Sequence, residues 1–248
     1  MNGILYFSST GNSLYIAKKI RDAFGGNIFY IPNYSGCGEE FERIFIVTPI
    51  YSFGMPTPVF ELFQKLNKNT EIIVIQNYGG MAGGADWFLY DYAKNRLGLN
   101  VIGVYKIKMT ENYTLFLTVP KYYQNYQLKQ SEKRVQKVIS DIASDNLRIP
   151  KKCKTKEKTY FKNKSNWHLI AKDFSANEDC VKCGKCVKIC PVQNIFFENG
   201  KVCFGDKCIA CLGCYHRCPQ KAIIYKNKKK KYRYVNPFID EKEIGKDL

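Results

Sequence analysis

Eight of the eleven cysteines fall into two copies of one spacing: Cys180, Cys183, Cys186 and Cys190 lead into Pro191, and Cys208, Cys211, Cys214 and Cys218 lead into Pro219. Each copy reads C-x2-C-x2-C-x3-C-P. Iron in a cubane of iron and sulfide takes soft thiolate ligands, and three cysteines at two-residue gaps let one tight loop wrap three corners of such a core. The fourth corner has to come from a more distant thiolate. Zinc also accepts thiolates, but its structural modules pair dicysteine or Cys/His knuckles, not triplets with a proline-marked fourth. The copies run on past the cysteines, since Pro191-Val192-Gln193-Asn194-Ile195 answers Pro219-Gln220-Lys221-Ala222-Ile223, so pseudo-twofold symmetry is expected.

Over residues 173–226 this pattern resembles the bacterial two-cluster ferredoxins. The resemblance implies two [4Fe-4S] clusters. In that family the distant cysteine of each run serves the other cluster, which implies one ligand set of Cys180, Cys183, Cys186 and Cys218 and a second of Cys208, Cys211, Cys214 and Cys190. Cys203 lies between the runs and is expected as a small buried apolar residue. Cys37 and Cys153 sit in loop-like contexts and receive no role. His216, inside a run that already has its thiolates, is expected to face solvent or to support a ligand.

The elements that position this chemistry begin far upstream. Up to about residue 146, short apolar runs alternate with helical periodicity, which argues for an α/β fold around a five-stranded, doubly wound parallel sheet. Strands are expected over 4–7, 28–31, 44–48, 72–76 and 101–107, and helices over 13–24, 56–67, 85–97 and 122–143. No convincing helix occurs between 24 and 44. The first loop, Ser8-Ser9-Thr10-Gly11-Asn12-Ser13, joins a strand to a helix. Its hydroxyls and its glycine leave backbone N–H groups free at a helix N-terminus, where the dipole favours an anion. The same residues also make an ordinary N-cap with a glycine turn. The loop has no Lys of a Walker type and no G-x-G-x-x-G, so neither a nucleoside triphosphate nor a dinucleotide site is indicated; neutral donors suit a dianionic monophosphate.

In this position the loop resembles the phosphate loop of the flavodoxins, whose cofactor is FMN, and the resemblance covers most of residues 1–146. In a flavodoxin-like strand order the cofactor lies at the carboxyl ends of the strands. That places the flavin ring between Pro49-Ile50-Tyr51-Ser52-Phe53-Gly54 and Asn77-Tyr78-Gly79-Gly80, with Gly84 just beyond. Tyr51 and Tyr78 are the stacking candidates, and the glycines admit backbone amides to the polar edge of the ring. Asn112 and Tyr113 follow the fifth strand at the same edge, and Trp87 is expected in the core.

The 248 residues are 45% hydrophobic and 25% charged, ordinary globular values that exclude a fibrous or wholly disordered chain and allow one or two domains. The pattern divides them into a flavodoxin-like domain (1–146), a basic linker (147–172), a ferredoxin-like domain (173–226) and a basic, then acidic tail (227–248). The formal charge of +17 resides in residues 121–172 and 221–233, with surpluses of ten and seven basic residues. Eight thiolates, two oxidised cores and a flavin phosphate bring it to about +11. Met1 leads into an apolar run with no basic stretch before it, and no run reaches the ~18 apolar residues of a membrane helix. A cytoplasmic protein without membrane insertion is expected, in which cysteines serve metal or redox chemistry and not disulfides.

The order of the two parts is similar to that of the flavodoxin-ferredoxin fusion proteins of anaerobic bacteria. That resemblance implies electron transfer between bound FMN and two [4Fe-4S] clusters, within one chain or across a homodimer, and an acidic ferredoxin- or flavodoxin-type partner docking on the basic connector and tail. No acid-base pair or nucleophile stands out, so no catalytic residue is named, and a reductase of a small-molecule acceptor is the alternative. A redox-sensing nucleic-acid binder is the third reading. It rests on Lys151, Lys152, Lys154, Lys156, Lys158, Lys162 and Lys164 with Tyr160, Phe161 and Trp167 interleaved, and on the lysine run 228–231; neither segment matches a recognised reader fold.

Overall fold

The computed structural model describes residues 1–228 and 232–248, so most of the 228–231 lysine run lies outside the described residues. Five apolar runs become the strands β1 (Asn2–Tyr6), β2 (Asn27–Tyr30), β3 (Arg43–Pro49), β4 (Glu71–Tyr78) and β5 (Val101–Lys108). All pair in parallel, in the order β2-β1-β3-β4-β5. This is the flavodoxin-like doubly wound order, and it reverses between β1 and β3. Ile4, Leu5, Ile44, Phe45, Ile46, Val47, Ile72, Ile73, Val74 and Ile75 are fully buried, because helices cover both faces of the sheet. Each such side chain contributes about 1.5–3 kcal/mol of burial.

The helices α1 (Asn12–Phe24), α2 (Thr57–Phe63), α3 (Ala85–Tyr90) and α4 (Lys121–Ala143) follow the strands. α1 turns Leu14, Ile16, Ala17 and Ile20 inward and ends at Gly25, φ 69°. α2 stops well before residue 67, and α3 continues as a π-helical turn over Asp91–Arg96. A single 3-10 turn at Ile31–Asn33 replaces a helix between β2 and β3. Neighbours on β4 serve opposite faces: Asn77 donates to Ser13 of α1, whereas Lys106, the register partner of Gln76, pairs with Asp86 of α3.

The expected linker is structured. It carries α5 (Glu157–Asn166) and a 3-10 segment over Trp167–Asp173. Tyr160 is wholly buried, donates to the Met55 carbonyl at 2.9 Å and meets Phe88; Trp167 is nearly buried. Two of the three aromatics interleaved with the connector lysines are therefore core residues, which removes them from the nucleic-acid reading. Trp87, expected in the core, is half-exposed beside Tyr90.

The cysteine-rich region adds two antiparallel pairs, β6 (Phe174–Ala176) with β9 (Ile223–Tyr225) and β7 (Ile195–Glu198) with β8 (Lys201–Phe204). One short helix carries the third cysteine of each triplet, α6 (Lys185–Lys188) with Cys186 and α7 (Gly213–His216) with Cys214. The last residues then return to the sheet, where Leu248 exchanges two backbone hydrogen bonds with Ile28 on β2. On the way Tyr30 N–H donates to Asp247, Lys18 pairs with Glu243, and the Tyr6 hydroxyl bonds the backbone at 243–246. Arg217 and Lys185 both reach Glu241, so this strap fastens the cysteine-rich region to the α/β half.

Candidate functional site

At the carboxyl edge of the sheet the loops after β1, β3, β4 and β5 surround a cavity of about 740 Å³. The first loop is built tightly. The Gly11 N–H donates to Ser8 Oγ at 2.9 Å, and Gly11 takes the left-handed conformation, φ 92°, that starts α1. The helix has no side-chain cap and no acid in its first turn. Thr10 Oγ1 accepts from Asn112, Asn12 donates to the Thr110 carbonyl, and Ser13 Oγ accepts from Asn77. All six loop residues are buried, and only Asn12 lines the cavity; Ser8, Ser9, Thr10, Gly11 and Ser13 stand behind it.

After β3, Pro49, Ile50, Tyr51, Ser52 and Phe53 line the cavity and Gly54 does not. Tyr51 and Gly54 exchange backbone hydrogen bonds of 3.0 and 2.9 Å, closing a two-residue turn with Ser52 at φ 50° and Phe53 at φ 73°. Such a turn ordinarily takes Asn-Gly, and each non-glycine residue in it costs about 1–3 kcal/mol. Packing holds it in place: Lys156 lies 4.5 Å over the Phe53 ring, and Gly54 abuts Tyr160 so closely that a side chain there would collide. The Tyr51 ring stands edge-on to Phe7 and Trp167. Its hydroxyl is sealed and burial pushes its pKa far above the ordinary phenol range; Ser9 Oγ, close enough to influence it, is sealed as well. Neither hydroxyl has a partner at full hydrogen-bond geometry.

Asn77, Tyr78, Gly79 and Gly80 after β4 also line the cavity, with Thr110, Glu111, Asn112 and Tyr113 after β5. Gly79 lies against the Glu111 backbone, leaving no room for a Cβ. Gly84 is elsewhere: it begins α3 beside Cys153 and Lys154. The far wall comes from Asn163, Asn166, Trp167, Leu169 and Ile170, of which the sequence singled out only Trp167, and for the nucleic-acid reading. The apolar Trp167-His168-Leu169-Ile170 stretch inside a basic segment was the available signal.

The cysteines line two smaller cavities, Cys180, Cys183, Cys186 and Cys218 around one and Cys190, Cys208, Cys211 and Cys214 around the other. These are the two crossed groups expected from the resemblance. The copies repeat locally: Gln193 and Lys221 sit at φ 50° and 53°, and the N–H groups of Asn194 and Ala222 donate to Cys190 Sγ and Cys218 Sγ at 3.2 and 3.3 Å. Burial pushes the Cys211 thiol up to about 12 and Cys214 well above the ordinary range, with Cys186 and Cys208 also raised. A thiolate at such a depth needs a cationic core beside it. Among the described residues no three His, Cys, Asp or Glu side chains are grouped to hold a single metal ion. Cys203 is half-exposed on β8 and not buried as expected.

Cys211 also borders the large cavity, beside Ala210 and Leu212. His216 is buried, which excludes the solvent-facing expectation. Its Nδ1 accepts from the Tyr234 N–H at 3.1 Å, so by this network Nε2 carries the proton and donates to the Asn112 carbonyl at 2.6 Å. Burial lowers its pKa to about 4, keeping the ring neutral. Asn112, bonded to both Thr10 and His216, ties the first loop to the second cysteine run.

The donors suit the groups that the sequence implies. An uncapped helix start with Ser9 Oγ behind it, sealed and without a partner at full geometry, suits a phosphate-bearing flavin, and four soft thiols around each small cavity suit a cubane core.

Residues 177–196 match the family model of the 4Fe-4S binding domain, a span that holds the first cysteine run only. No curated protein matches the chain. Solved structures similar to it include Fusobacterium nucleatum flavodoxin bound to flavin mononucleotide, at 20% identity over 59% of this chain and 98% of that one, TM-score 0.42. The flavodoxin of Streptococcus pneumonia TIGR4 is 13% identical over 58% and 98%, TM-score 0.40. That of Megasphaera elsdenii is 21% identical over 43% and 85%, TM-score 0.38. The chain therefore carries a 4Fe-4S binding domain match behind an α/β domain whose own strand order is flavodoxin-like.

Proposed function

We propose that this chain is an electron-transfer flavoprotein that couples FMN, held at the large cavity, to two [4Fe-4S] clusters held by the two cysteine sets. The observation that carries the reading is the position of Cys211, which belongs to one cysteine set and borders the large cavity. A flavin exchanges one or two electrons and each cluster one, so joining them connects a two-electron couple to a one-electron chain. In this reading residues 8–13 and the start of α1 receive the phosphate, Tyr51 and Tyr78 flank the ring, and Asn112 keeps the loop in register with the second cysteine run. The domain division is that of a flavodoxin-like part over 1–146 and a ferredoxin-like part over 173–226, as in the fusion family. That Cys211 and the cavity belong to the same molecule supports exchange within one chain.

The apolar wall of Trp167, Leu169 and Ile170 favours a second reading, a reductase of a small apolar acceptor, since such a wall along the open cavity selects by shape. Anaerobic purification with iron, sulfide and flavin analysis tests the main reading. About eight iron and eight sulfide with one FMN per chain are expected. Zinc in place of iron, or a protein that takes up no FMN on reconstitution, refutes it. A single small molecule consumed by the reduced protein at high specificity selects the second reading.

A further inference from the structure

We propose that the two cysteine sets act in series, and that the outer one, at Cys183, is the port where a small acidic one-electron carrier protein docks. This rests on the reading of FMN and two clusters given above. It moves the docking surface away from the connector and tail, where the sequence charge placed it.

The order follows from what each set touches. None of the inner set of Cys190, Cys208, Cys211 and Cys214 is exposed. Cys211 faces the large cavity, and Gly213 packs where a Cβ would lie 3.5 Å from Ser9 of the first loop. The outer set is the inner set's neighbour, because α6, which carries Cys186, packs against α7, which carries Cys214. Its own Cys183 is exposed, α6 buries none of its residues, and a Cβ on Gly184 would meet nothing within 4 Å. An electron from outside therefore meets the outer set first, and the route to the cavity runs through the inner one.

The surface there has the composition of a docking face. Val181 and Phe197, which border the outer cavity, are 62% and 42% exposed, an apolar centre of the kind that partners cover. Lys182 lines the outer cavity, and Lys188, Lys201 and Lys221 are exposed on the same segments, with Glu178, Asp179 and Glu198 as the acids; Lys185 is committed to Glu241 at 2.5 Å. Four exposed lysines with no ion pair among the described residues, against three acids, leave a basic surplus that complements an acidic carrier and steers its approach. Each docking passes one electron: the carrier is oxidised by one and the outer set is reduced by one. Two dockings, with two protons from solvent, match the two-electron capacity of a flavin.

The test uses the anaerobic holoprotein and a reduced acidic two-cluster ferredoxin as the probe, followed by stopped-flow absorbance at low and high salt. Two double variants are compared, Lys182→Glu with Lys201→Glu at the outer set and Lys158→Glu with Lys162→Glu on the connector. The outer pair is expected to lower the second-order rate about tenfold at low salt, with the gap closing at high salt, and the connector pair to change it less than about twofold. Slowing by the connector pair alone, no salt dependence, or acceleration by the outer pair overturns the proposal. Iron and FMN are assayed in every sample. Protein lacking two clusters or FMN refutes the functional reading itself and this inference with it, whereas fully loaded protein with the wrong rate pattern refutes only the docking port.

Discussion

The two cysteine runs have one spacing and one local geometry, yet they occupy opposite environments. Stepping 28 residues from the first copy to the second turns Val181, 62% exposed, into Ile209, 5% exposed, and turns exposed Lys188 into buried His216. Lys182 and Ala210 share a left-handed backbone, as do Gly184 and Leu212, so the loops coincide while their surroundings do not. Spacing decides which atoms can be ligands. What each copy packs against decides whether it faces solvent or the cavity.

The largest expected contrast is at the equivalent thiols Cys183 and Cys211. Serine at either position is expected to remove about half the iron, since each belongs to a different four-cysteine set. Only Cys211→Ser should also lower the retained FMN, because Cys211 borders the large cavity and Cys183 does not. Iron and flavin assays on the two purified variants decide it. Equal flavin loss from both would mean that the copies are not distinguished by the cavity.

Next comes the strap, where Lys185 of the first copy and Arg217 of the second share Glu241. Arg217 is 6% exposed and also bonds the carbonyls of Glu241 and Ile244, so Arg217→Ala leaves a carboxylate and two carbonyls short of a donor. A loss of about 2–4 kcal/mol is expected. Lys185 is 35% exposed, and Lys185→Ala should cost less than about 1 kcal/mol. Denaturant unfolding of the holoprotein compares the two. At the equivalent positions 216 and 188 a smaller gap is expected: His216→Ala strands the Tyr234 N–H and the Asn112 carbonyl for about 1–3 kcal/mol, while Lys188→Ala stays within about 0.5 kcal/mol.

The contrast also marks what the sequence makes legible. Apolar runs such as Ile72-Ile73-Val74-Ile75 need no context to become buried strands, and thiol spacing needs none to group ligands. The wall of the cavity does need it. Asn163 and Trp167 lie in a segment whose lysines hide its apolar side, and Tyr160 is buried only because Gly54, distant in sequence, leaves room for its ring. The strap was equally hidden. Asn236, Ile239 and Ile244 come from a stretch that reads as a charged tail, yet all three pack against Gly11, where a Cβ would lie 3.2–3.4 Å from them. Trp87 and Cys203 were misplaced because an apolar residue beside buried neighbours is not itself buried.

The smallest effect tests the first loop, the part of the site that the cavity itself least discloses. Ser9 Oγ is sealed from solvent without a hydrogen-bond partner at full geometry, an arrangement that costs free energy unless a ligand uses the group. Ser9→Ala removes that cost. In flavin-free protein the variant should be unchanged or more stable by up to about 1 kcal/mol, because the contact of Ser9 Oγ with the Tyr51 hydroxyl falls short of full hydrogen-bond geometry. In the presence of FMN the sign should reverse, with Kd rising about 3–10-fold as the phosphate loses one donor. Thermal unfolding without flavin and fluorescence titration with it read the two halves separately. A destabilised variant with unchanged FMN affinity would make Ser9 a packing residue and move the phosphate away from this loop.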